Sequence, residues 1–92
     1  MAHLTKYDKE FIEYVKERYS DLDTPELIEK LLEIGVVDTV KLKILTVRTF
    51  VDKAVKNGTG KVDAMYMAAE KLCLTYEYVR KCMYYNTDVN LV

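Results

Sequence analysis

Gly58-Thr59-Gly60-Lys61 comes nearest, by residue type, to a phosphate-binding loop: glycines admit close backbone approach and lysine neutralises charge. It lacks a first glycine at the required distance, a Ser or Thr after the lysine, and a preceding strand, so nucleotide binding is not expected. His3 stands alone near the N-terminus, with no partner for metal binding or base catalysis. Cys73 and Cys82 share no metal or redox spacing. They fall at core-like positions of predicted helices, which points to buried free thiols in a reducing cytoplasm. No nucleophile, base and orienting group can be assembled from the chain. The sequence therefore predicts neither an enzyme nor a catalytic residue, and no metal or cofactor.

Residues 65–84, MYMAAEKLCLTYEYVRKCMY, carry the most informative spacing. Met65, Ala68, Ala69 and Leu72 line one side of a first helix. Thr75 offers a hydroxyl cap for a second, and Val79, Cys82 and Met83 turn that helix's apolar face back toward the first. Leu74, in the turn, is expected to plug the gap. The key relation is Ala69 to Val79 and Cys82, because two helices crossing steeply around a short turn approach closely there. A large side chain at position 69 would hold them apart.

This arrangement resembles the helix-turn-helix family, with Ala69 as the small contact, Leu74 after the turn, and Val79 and Cys82 on the inner face of the second helix. It departs from the family at Cys73, where glycine is usual because the turn often needs a left-handed backbone. The resemblance implies that the second helix enters the DNA major groove and reads bases with its N-terminal residues and outward face. Those residues are Thr75, Tyr76, Glu77, Arg80, Lys81 and Tyr84. Arg80 is the best candidate for a base contact, since a guanidinium bridges the two acceptors of guanine. Glu77 suits a cytosine amino group, Lys81 and Tyr84 suit phosphates, and Tyr76 suits a sugar or a thymine methyl. Lys61 joins the backbone amides at the start of the first motif helix in a phosphate clamp. Each has a plainer alternative. Arg80 and Glu77 also read as solvated surface, Tyr76 and Tyr78 as packing on the third helix, Tyr78 above all, and Tyr84 and Tyr85 as closing the base of the core.

Five helices are expected to position these residues, in an all-α fold. The first spans about Thr5–Tyr19, with Tyr7, Phe11, Tyr14, Val15 and Tyr19 as its apolar stripe. Its acids follow salt-bridge spacing and read as a solvated face. The second starts with Thr24 as N-cap and Pro25 at the first helical position, and Gly35 ends it. Asp38 caps a third, about Thr39–Lys56, whose apolar residues cover more than half its circumference. Such a helix is central and has room for several partners, a second subunit included. The motif helices follow at roughly 62–72 and 75–85, and Asn86–Val92 reads as a frayed tail. One helical domain, 1–92, is predicted, with accessory helices in 1–37 and a wingless trihelical unit in 38–86.

The net charge is −1 and half the 92 residues are hydrophobic. Residues 1–37 hold five basic and nine acidic residues, a balance of −4; residues 38–92 hold nine and six, a balance of +3. The positive part carries the motif, and phosphate neutralisation depends on local charge. No apolar run is long enough to span a membrane. The polar N-terminus (Lys6, Asp8, Lys9, Glu10) does not read as a signal peptide, so a cytoplasmic location is expected. These features favour a small transcriptional regulator binding double-stranded DNA, as a homodimer through the N-terminal or third helix. The alternative is a helical protein–protein interaction or assembly module that uses the same fold without DNA.

Overall fold

The computed structural model describes residues 4–85. His3 and the tail Asn86–Val92 lie outside them. The described chain is all-helical, with no strand. Five helices follow one another: α1 (Lys6–Arg18), α2 (Thr24–Glu33), α3 (Thr39–Lys56), α4 (Lys61–Lys71) and α5 (Tyr76–Tyr84). None is long and apolar enough to cross a membrane. The chain divides into two compact units, Met1–Val37 and Asp38–Val92.

Local capping chemistry sets the helix starts. Thr5 and Asp8 form a reciprocal capping box at α1. Its two bonds are Asp8 N–H to Thr5 Oγ1 at 3.1 Å and Thr5 N–H to Asp8 Oδ2 at 2.8 Å. Asp38 accepts from the amides of Val40 and Lys41 at α3. At α2 the cap is Asp23, whose carboxylate accepts from Glu26 N–H at 3.0 Å. Thr24, expected as the cap, is instead the first helical residue. An ionised carboxylate at the positive end of the helix outcompetes the neighbouring hydroxyl, and Pro25 fits the first turn in either register.

Three helices end alike. After α2, α3 and α4 a residue turns left-handed: Gly35 (φ 80°), Gly58 (φ 97°) and Cys73 (φ 55°). In each case the next amide reaches back to a carbonyl five residues earlier: Val36 to Leu31, Thr59 to Ala54, and Leu74 to Ala69. At Cys73 the turn has the left-handed backbone that glycine provides freely, and a β-carbon there is strained. Cys73→Gly should therefore stabilise the fold by roughly 0.5–1 kcal/mol, read as a higher urea midpoint at unchanged slope.

Helices α3, α4 and α5 pack pairwise on one another. Their core comprises Ile44, Val47 and Val51 from α3, Ala64, Met65 and Ala68 from α4, and Val79, Cys82 and Met83 from α5. Phe50, Ala69, Leu72, Leu74, Tyr76 and Tyr78 lie half-buried against it. The small residues enclosed on α4 are Ala64 and Ala68, both fully buried; Ala69, expected in that role, is only partly covered. In the unit 4–37, by contrast, no described side chain is buried.

Candidate nucleic-acid interface

Helix α5 owes its position to three local features. The hydroxyl of Thr75 accepts from Tyr78 N–H at 3.1 Å and starts the helix. Val79, Cys82 and Met83 hold its inner face in the core. At its far end, Arg48 of α3 donates through one guanidinium nitrogen to the carbonyls of Cys82 (3.1 Å) and Met83 (2.8 Å). These carbonyls belong to the last turn, which has no intrahelical partners for them. The cation also sits at the negative end of the helix dipole.

The same packing sends Thr75, Glu77, Lys81 and Tyr84 to the surface, while Tyr76 and Arg80 are half-buried. Arg80 and Glu77, assigned separate bases on the sequence, form a two-pronged ion pair: Nη2 to Oε1 at 2.8 Å and Nε to Oε2 at 3.2 Å. The hydrogen bond from Arg80 holds the Glu77 carboxyl below its ordinary range, and Glu77 in turn raises Arg80. The fork of the guanidinium is therefore occupied by a neighbouring carboxylate.

Tyr76 stacks on Tyr66 of α4, with ring centroids 4.2 Å apart and planes 18° from parallel. Lys61, at the start of α4, holds its ammonium 4.7 Å from the centre of the Tyr84 ring. These two residues from different helices thus form a single cation–aromatic contact. The cap of α4 is Gly60, which brings no side chain to the first-turn amides, and Asp63 adds a negative charge there. Tyr84 and Tyr85 are both exposed and do not close the core. Arg48 holds the end of α5 instead.

Sequence reasoning missed Arg48 and Tyr66. Arg48 had a signal: it falls four residues after Ile44 and three before Val51, on the buried face of α3, where a charge needs a partner. Tyr66 had none, since its role depends on how α4 meets α5.

The thiols separate. Cys82 is buried, whereas Cys73 is exposed at the turn and not in the core. Burial pushes the Cys82 thiol and the Tyr78 hydroxyl above their ordinary values of 9.0 and 10.0. An aromatic disulfide reagent should titrate Cys73 at once and Cys82 only on unfolding. The raised values fix the sign of the alkaline response. The fold favours the neutral groups, so this stabilisation is complete below pH 9 and declines as pH rises through the folded values. Tyr78→Phe should move the alkaline loss of helicity to higher pH.

Compared with protein-family models, curated proteins and solved structures, the chain matches none.

Proposed function

We propose that the chain is a DNA-binding protein, a small regulator that presents α5 to the major groove. The observation that carries this reading is the α4–α5 pair. Two short helices are joined by a four-residue turn with a left-handed backbone at Cys73. The inner face of α5 is locked in the core, and its outer face carries Thr75, Glu77, Lys81 and Tyr84 at the surface. Lys61 lies beside Tyr84, so a phosphate-binding cation stands at the edge of that face. The positive balance of residues 38–92 supports the same reading.

The test is a gel-shift titration against random duplex DNA at low salt, followed by site selection. Salt-dependent binding is expected. Its absence at tens of micromolar protein would sink the proposal. Lys61→Ala should weaken all sequences alike, whereas Arg80→Ala should relax preference at one base pair by less than the roughly 1–3 kcal/mol of a free fork, because a base must first displace Glu77. Equal effects of the two across all sequences would refute the division of roles. Glu77→Gln releases the Arg80 fork and removes a negative charge from the face. It should raise affinity for random DNA several-fold at low salt.

A further inference from the structure

Tyr76 and Tyr84 stand at the two ends of α5, about 12 Å apart along its axis. Arg80 lies midway, and four-residue steps put all three on one flank of the helix. That flank faces α4, because each end of the row touches it: Tyr76 stacks on Tyr66, and the Lys61 ammonium lies over the Tyr84 ring. Tyr66 is nevertheless 57 % exposed and Tyr84 49 %. More than half of Tyr66 meets solvent although Tyr76 covers one face of its ring, so the opposite face is open. Val62, one turn earlier on α4, is exposed too and continues the apolar surface. Holding α4 against α5 accounts for the covered ring faces and not for the open ones. Charge along the flank balances: Lys61, Arg80 and Lys81 stand against Asp63, Glu70 and Glu77.

We infer that this flank also binds single-stranded nucleic acid, stacking one unpaired base on Tyr66 and another on Tyr84. The inference rests on the reading that α5 faces nucleic acid, but it uses a different side of the helix and a different chemistry. A base inside a duplex offers its edge to the groove and keeps its faces covered by its neighbours; an unpaired base offers a face. The flank is equipped for faces. Its two outer rings are open, whereas the Arg80 fork that would read an edge is held by Glu77. The 12 Å between the rings spans three or four nucleotides at roughly 3.4 Å each. Lys61, beside Tyr84, sets a cation where the phosphate next to a stacked base would pass. With the charges balanced, stacking supplies most of the affinity, and every base has a ring face to offer, so sequence preference is weak.

The test is a fluorescence-anisotropy titration of labelled oligo-dT and oligo-U, each of about 12 nucleotides, with the full chain, beside a random duplex, at several salt concentrations. Binding of a single strand is expected, and the tighter of the two oligomers tells DNA from RNA. The log–log salt slope should be about −1.4 or shallower, since Lys61 and Arg80 are the cations in reach and each contributes about −0.7 on a single strand. Failure of both oligomers to bind at tens of micromolar protein overturns the inference, as does a slope as steep as that of the duplex. The two readings fail separately. A chain that binds the duplex alone keeps the major-groove reading and loses this one; a chain that binds the single strand alone does the opposite. Tyr66→Leu keeps an apolar cover over Tyr76 but removes the ring, and should weaken single-strand binding about fivefold or more with duplex affinity nearly unchanged. Tyr66→Phe keeps the ring and should bind like the parent. A folded Tyr66→Leu chain that holds single strands like the parent overturns the inference. Should Tyr66→Leu fail to fold, Tyr84→Ala, at an exposed position, decides by the same loss or its absence.

Discussion

Ala68→Leu should lower the stability of the α3–α5 unit by about 2–3 kcal/mol, near the upper end of the overpacking range. Ala68 is fully buried, in one cluster with Val47, Val51, Met65, Val79 and Cys82. A leucine there has no solvent-facing rotamer to escape into, so a neighbouring helix must move away from α4 or the side chains must leave their rotamer wells. The unit from Asp38 onward has 55 residues, which sets its total stability at roughly 3–8 kcal/mol. The substitution therefore removes a large share of it, and thermal unfolding should fall by roughly 10–20 °C. Ala69→Leu is the informative control. Position 69 is only half-buried, so the larger side chain can turn outward at a cost below about 1 kcal/mol. Circular dichroism melts of the two variants decide the matter. A larger loss from Ala69→Leu would make position 69 the close contact between the helices, against the burial pattern.

That contrast shows where the sequence was legible. The small residue at the α4–α5 approach was readable as a type, but its phase was not. Adjacent helical residues point about 100° apart, and only the position of α3 decides which of Ala68 and Ala69 faces inward. Several signals that act within one turn of chain were legible. Asp38, Gly35 and Thr75 cap or end their helices where their chemistry predicts. Asp23 and Thr24 compete for one cap, and the difference between a carboxylate and a hydroxyl is too local for periodicity to resolve. Cys73 was read in two incompatible ways, as a strained turn residue and as a core thiol, and the turn wins: a left-handed residue just past a helix is carried outward.

The outward face of α5 was legible as a set of side chains and not as a set of contacts. The pairing of Arg80 with Glu77 follows from their three-residue spacing, and treating each as an independent base reader overlooked it. The Tyr66–Tyr76 stack and the Lys61–Tyr84 contact each join α4 to α5. Such contacts are set by the angle between two helices, which residue spacing along one of them does not encode.

Arg48→Met should cost about 2 kcal/mol while leaving the outward face of α5 in place. The guanidinium donates to two carbonyls at the end of α5, and a hydrogen bond from a charged group typically contributes about 1.5–3 kcal/mol. The two bonds share one nitrogen and a part-buried setting that water can enter, so their values do not add. Methionine keeps much of the length and apolar contact of the stem, which confines the change to the lost donors and charge. Arg48→Lys keeps the charge but not the planar fork, and should recover about half of the loss. Urea titration gives the stability of each variant. DNA titration at a temperature where all are folded separates position from contact. Arg48 acts from behind α5, so the folded Arg48→Met chain should bind DNA within about threefold of the parent, under 0.7 kcal/mol. Lys81→Ala should show the reverse, weaker binding at nearly unchanged stability. If Arg48→Met instead lost affinity at full stability, the guanidinium would be contacting DNA and the assignment of α5 as the reading helix would have to be redrawn.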